Sequence, residues 1–289
     1  VHQGSTNGPQ MDHKRTTQKH HRINRSKTSE DQNKNTMKKL LLILLYISPW
    51  TSLFPDDYPK KRLFDRDQHA AKILGREDRK YGDHSGNRVL CRFYNQGSIG
   101  DQSSSFSGVY PVGSGHSYIW EFSPVIAASV LDTSGNRKRI VSDGLRGLVD
   151  VSPEGTPWSF EPIAGYANPN QENLAMSDNS STWPSTWPNR DEDWDGEWNG
   201  QYGKYVRADQ ESYFVMDDYY NSEYEFWPDL SDTPESSLES PDDHRRGLGI
   251  DLEVRGYQWN HPAAEDIIIV TYWITNIGSN TCLLYTSPS

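Results

Sequence analysis

Aliphatic side chains are scarce between residues 150 and 247, and this shortage limits what the chain can fold into more than any motif does. Pro, Trp, Tyr, Asn and acidic residues dominate there, so the segment cannot be a plain run of core strands; it reads as long, ordered loops, with residues 213–216 as the best strand candidate inside it. Its densest part is residues 183–200, WPSTWPNRDEDWDGEWNG, with four tryptophans and five carboxylates in eighteen positions. Trp183, Trp187, Trp194 and Trp198 can serve in either of two ways. They can offer flat faces to sugar rings, or they can replace the missing aliphatic core. Burying one such ring removes roughly 150–250 Å² from water, at most ~4–6 kcal/mol at ~25 cal/mol per Å². A segment with few other apolar groups favours the second use.

The acids of the same stretch have calcium spacing. Asp191, Asp193 and Asp195 alternate, Gly196 follows, and Asn199 stands ninth from Asp191. Calcium needs six to eight hard oxygens, alternate carboxylates can converge, and a glycine permits the sharp turn of a binding loop. The twelfth position is Tyr202 where an EF-hand needs a bidentate Glu, and Pro and Gly flank the stretch. The expectation is therefore a looser extracellular Ca2+ site, completed by a carboxylate such as Asp209, Glu211, Asp217 or Asp218, against the alternative of a solvated acidic loop. At dissociation constants on the order of 10⁻⁴ to 10⁻³ M, tenfold excess calcium would stabilise the fold by about 1.4 kcal/mol.

Elsewhere the texture is β. Val89, Cys91 and Phe93 alternate with Leu90, Arg92 and Tyr94, and residues 117–122 and 125–131 read as two further strands. A turn at residues 132–136 leads into a strand over 137–141, predicting a hairpin. Ile250, Leu252 and Val254 alternate with Asp251, Glu253 and Arg255, which predicts one apolar and one charged face. Residues 266–275, DIIIVTYWIT, predict a strand covered on both faces. Residues 249–277 have the texture of the opening strands of an immunoglobulin-like sandwich. Apolar residues near helical spacing over 59–75 predict one short amphipathic helix in a linker spanning 55–85. The fold class expected is mainly β, a loop-rich, β-sandwich-like domain over residues 86–281, with long Trp- and acid-rich insertion 150–248.

Residues 1–36 carry seven Lys or Arg against three acids and cannot bury a core, so the expectation is translated upstream sequence before a start at Met37, against the alternative of a disordered basic arm. Met37, Lys38 and Lys39 precede an eight-residue apolar run, so residues 37–54 have the form of a secretory signal, too short to span a bilayer. Residues 282–289 resemble a translated sequencing adapter, which places the end of the native sequence near Thr281 and predicts a C-terminally truncated chain. Without residues 1–54, twenty bases face thirty-seven acids, a balance of about −17. Such acidity disfavours nucleic acid and anionic membrane surfaces as partners. With Cys282 in the adapter-like tail only Cys91 remains, which reads as a small buried hydrophobe and leaves no disulfide framework. The pairs Asp217-Asp218, Asp242-Asp243 and Glu265-Asp266 read as surface charge, since neighbours in a strand point to opposite faces. No His, Ser or Gly pattern matches a metal, nucleophile or phosphate motif.

One set of residues is more specific: Arg92-Phe93-Tyr94-Asn95-Gln96-Gly97, the Trp-Pro pairs at Trp183 and Trp187, Trp194-Asp195-Gly196-Glu197-Trp198-Asn199-Gly200, Arg246-Gly247-Leu248-Gly249 and Arg255-Gly256-Tyr257-Gln258-Trp259. With these residues, the region 81–281 resembles large, uncharacterised secreted proteins of environmental bacteria of the Bacteroidetes, Ignavibacteria and Marinimicrobia type. The resemblance implies export, β-sandwich domains and often a C-terminal sorting domain for type IX secretion; it implies no catalytic residues. The function expected is that of a secreted or cell-surface structural or adhesion protein, in contact with surface polysaccharide or other surface proteins. The alternative is a carbohydrate-binding or carbohydrate-processing module using exposed tryptophans.

Overall fold

A computed structural model describes residues 78–145, 151–153, 158–231, 233 and 244–279, and among the described residues there are ten short strands, all paired antiparallel. In chain order they are β1 (Tyr81–His84), β2 (Leu90–Tyr94), β3 (Ser107–Val109), β4 (Val125–Leu131), β5 (Arg137–Asp143), β6 (Glu161–Pro162), β7 (Ala175–Met176), β8 (Gln210–Asp217), β9 (Ile250–Gln258) and β10 (Ile269–Asn276). The main sheet runs β10-β9-β8-β6, with β7 also paired to β8. β1, β2 and β3 form a second sheet, and β4 with β5 a hairpin. The protein is thus mainly β. The predicted helix over 59–75, the signal segment, residues 1–36 and residues 282–289 lie outside the described residues.

The hairpin forms as the turn chemistry predicts: Asp132 Oδ1 accepts the backbone N–H groups of Ser134 and Asn136, fixing the register Leu131↔Arg137 through Val125↔Asp143. Residues 117–122 do not form the expected strand. They make only isolated bridges, Val109↔Ser117 and Ile99↔Phe122, because the segment serves to lay Ile119 across Gly100 and Gly108. β1 falls in the stretch read as linker and pairs with β2 throughout its length.

β8 and β9 are the centre of the molecule, paired from Gln210↔Gln258 to Asp217↔Asp251. One face of this pair is apolar: Phe214, Met216, Ile250, Leu252 and Val254 join Cys91, Phe93 and Ile140 in one buried cluster. The close approach depends on Gly256, where a Cβ would stand 2.6 Å from His84 Nε2 and 2.7 Å from the Phe93 ring.

The other face holds Glu211, Tyr213, Val215 and Asp217 on β8, opposite Tyr257, Arg255, Glu253 and Asp251 on β9. The alternation at 250–255 predicts this face to be charged, and it is. It is not solvated: Glu211, Asp217, Glu253 and Arg255 are all buried. Conversely β10, expected to be covered on both faces, is an edge strand with Ile269 and Ile274 exposed. β-branched composition marks a strand but does not say what lies beside it.

Candidate functional site

The charged face is sealed by the tryptophan stretch. Trp187 and Trp198 are buried, at 3% and 2% exposure, in a cluster with Tyr166, Ala175, Tyr213 and Val215; Trp183 and Trp194 pack against it half-buried. The rings do not form a flat platform. Trp187 meets Trp198 edge-on at 86°, and Trp183 is tilted 45° from Trp198. Three indole N–H groups are used inside the fold: Trp183 donates to the Met176 carbonyl (2.7 Å), Trp187 to the Glu197 carbonyl (2.9 Å) and Trp198 to Glu211 Oε2 (2.8 Å). Two of the four rings are thus closed to any ligand, and the stretch is a packed cover over β8 and β9.

The cover is fastened to the strands by charge. Glu211 Oε1 accepts the backbone N–H groups of Arg207 and Ala208, so its carboxylate holds both the loop before β8 and Trp198. The Arg255 guanidinium lies 3.9 Å from the Tyr213 ring centroid, donates to the Asn199 carbonyl and stands 3.4 Å from Glu253. At the far end of the same face Arg245 gathers Asp217 (3.0 Å), Asp218 (3.7 Å) and Asp251 (3.6 Å). Asp217 and Asp218, expected to diverge as surface charge, therefore share one buried guanidinium. Burial pushes the Asp218 carboxyl up to about 6, against the backbone N–H groups of Ile250 and Leu248 and the charge of Arg245, which pull it down. Gly247 lies in the left-handed region (φ 68°) and touches Asp218 so closely that any side chain there would collide with it.

Asp191, Asp193 and Asp195 are exposed on a 3-10 turn at Glu192–Trp194, and Asn199 is buried away from them. The Asn199 Oδ1 that would bind a cation instead accepts from Arg190 Nε (2.8 Å), with Arg255 Nη2 at 3.4 Å, and its amide donates to Asn189. Lys204 places its ammonium on Asp193. The donor set therefore does not fit a calcium loop. The two guanidinium groups at the Asn199 oxygen repel a divalent ion, and an ammonium already holds the middle carboxylate. Among the described residues no group of three or more His, Cys, Asp or Glu side chains is placed to hold a metal. The carboxylates offered as completing ligands are equally committed: Glu211, Asp217 and Asp218 as above, and Asp209 to the backbone N–H of Asn260.

The stretch just beyond the cover brings together residues whose meeting the sequence does not announce. Tyr202 and Tyr205 are half exposed, and the Arg207 guanidinium lies over both rings, 4.5 and 5.2 Å from their centroids. Arg207 Nη2 donates to the Tyr205 hydroxyl. Trp259 stacks on Tyr257 at 13° and donates its indole N–H to the Arg207 carbonyl. Tyr257 donates to Gln201 Oε1, and the Gln201 amide donates to Tyr202. Tyr257 and Trp259 belong to a motif quoted from the sequence, and Tyr202 to the calcium spacing; spacing gave no sign that Trp259 would meet residues fifty positions earlier.

The other chemically suggestive groups are structural. The His84 ring is buried against Phe93, meets Ser212 Oγ at 2.8 Å and is driven down to about 3 by burial. Burial raises the Cys91 thiol to about 12, so it acts as a small hydrophobe. Glu265 and Asp266 both face Arg88. Compared with known protein families, curated proteins and solved structures, the chain matches none. Among the described residues no helix is long and apolar enough to cross a membrane.

Proposed function

We propose that this protein is a secreted or cell-surface structural module of the adhesion or matrix kind, with an immunoglobulin-like, sandwich-type packing of its sheets. One observation carries the reading: the buried charged groups are used as fasteners, Glu211 and Arg255 between the tryptophan cover and the sheet, and Asp217 with Arg245 at the far end of the same face. A loop-rich chain fastened in this way holds a fixed outer surface, which is what a surface module presents. Support for export comes from the signal-like segment 37–54, the acidic balance of the remaining chain and the likeness to large secreted bacterial proteins. Calcium has no part in the proposal, because Lys204, Arg190 and Arg255 supply the positive charge at the residues spaced for it.

The test is fractionation of a diderm bacterial host expressing the chain from Met37. A product lacking residues 37–54 is expected outside the cytoplasm. An intact chain retained in the cytoplasm would contradict it.

A further inference from the structure

The aromatic patch beside the tryptophan cover is built as a binding surface, and we infer that Tyr202, Tyr205 and Trp259, with Arg207 and Gln201, form a binding site for neutral polysaccharide. The inference rests on the extracellular reading only for its biological setting; the geometry stands without it.

Three features point to a ligand. First, Tyr202 and Tyr205 are 51% and 50% exposed three positions apart, beside the half-exposed Val206, whereas Phe93, Phe160, Tyr213 and Trp198 are buried. Exposed aromatic groups clustered in this way mark interaction surfaces. Second, the rings are held in place before any ligand arrives. Arg207 lies across both tyrosines, Trp259 is stacked on Tyr257 and tied to the Arg207 backbone, and Gln201 links Tyr202 to Tyr257. A surface already ordered loses little conformational freedom on binding. Third, Arg207 forms no ion pair with a carboxylate among the described residues, although the chain carries 40 acids against 29 bases. An exposed guanidinium held over two rings can donate outward.

The chemistry of the patch selects the ligand. A pyranose has an apolar C–H face and a rim of hydroxyls; the ring faces of Tyr202, Tyr205 and Trp259 suit the first, and the Arg207 guanidinium and Gln201 amide suit the second. A stable protein partner would need about 800 Å² from this side alone, and three rings with one aliphatic neighbour, Val206, do not make such an area. A polyanion would meet the net negative field of the chain.

Affinity electrophoresis of the full chain in gels containing a neutral β-glucan, xylan or mannan, or polygalacturonate as the acidic comparison, tests the site. Retardation is expected in at least one neutral gel, and the double variant Tyr202→Ala with Tyr205→Ala, like Trp259→Ala, should weaken it at least tenfold. Tyr202→Phe with Tyr205→Phe should keep most of it, and Trp194→Phe, on the cover itself, should leave it unchanged. Thermal unfolding of each variant separates a lost site from a lost fold. Migration unaltered by every neutral polysaccharide, retardation by polygalacturonate alone, or folded alanine variants that bind like wild type would each overturn the assignment. Failure here leaves the proposed role untouched if the protein is exported, and cytoplasmic retention would not affect a positive gel.

Discussion

The two faces of β8 and β9 solve the same problem with opposite materials. On one, Phe214, Met216, Leu252 and Val254 meet other apolar groups and need only be the right shape. On the other, Glu211, Arg255, Glu253 and Asp217 are just as thoroughly buried, and each must meet its own hydrogen-bonding partner. Shape errors on the apolar face cost the packing of a few methylenes, whereas a lost partner on the charged face strands an ionised group in low dielectric. The difference shows why a chain so poor in aliphatic residues between 150 and 247 can still build a core there: tryptophan supplies the area and buried ion pairs supply the register.

The contrast is largest where one residue type is placed on each face of β9. Arg255→Met leaves the Glu253 carboxylate and the Asn199 carbonyl without the guanidinium, and should cost ~3–5 kcal/mol in urea unfolding. Leu252→Met, three positions earlier and on the apolar face, should cost less than ~1.5 kcal/mol. Equal losses would mean that the charged face is not sealed.

The next effect is in pH. His84 is depressed to about 3 from 6.5, so the unfolded chain binds its proton first and stability should fall by ~1.4 kcal/mol for each unit below pH 6.5. Asp218, raised to about 6 from 3.8, works in the opposite sense: the folded form binds its proton first, and stability rises as pH falls from 6 to 3.8. The two slopes oppose each other over that interval. Urea midpoints at pH 7, 6, 5 and 4 should therefore separate wild type from His84→Gln, which loses the first slope and keeps the second; parallel curves would show that His84 is not buried neutral.

Trp198→Phe keeps a ring in the cover but removes the donor to Glu211, and should cost ~2 kcal/mol in the same unfolding experiment, less than Arg255→Met because Glu211 retains the Arg207 and Ala208 N–H groups. At the small end, Asp191→Asn with Asp195→Asn should shift stability by under ~0.5 kcal/mol, since both side chains are exposed. EDTA should leave the melting temperature unchanged; a clear drop would restore a cation to the loop.

These faces also divide what was legible in the sequence. The hairpin of β4 and β5 was readable because Asp132 and Gly135 encode its turn locally. β9 and the existence of β10 followed from alternation and β-branched composition. β8 was largely hidden: Gln210, Glu211 and Ser212 lower its hydropathy, and they belong to a strand because partners thirty to fifty residues away, Ser177 and Gly256 among them, satisfy them. The burial of Arg255 was hidden for the same reason, because its partner Asn199 lies fifty-six residues away, outside any local window. The site residues behave alike. Trp187 and Trp198 as core followed from the aliphatic shortage, whereas the meeting of Trp259 with Arg207 depends on the sheet having formed.

The central claim is that the tryptophan stretch seals the charged face of β8 and β9. Hydrogen exchange of the indole N–H groups, followed by NMR, tests it most directly. Trp120, 68% exposed, should exchange at the rate of a free indole, while Trp198 Nε1–H, bonded to Glu211 at 2.8 Å, should be protected to the level of the backbone amides of β8. Exchange of Trp198 as fast as that of Trp120 would contradict the account.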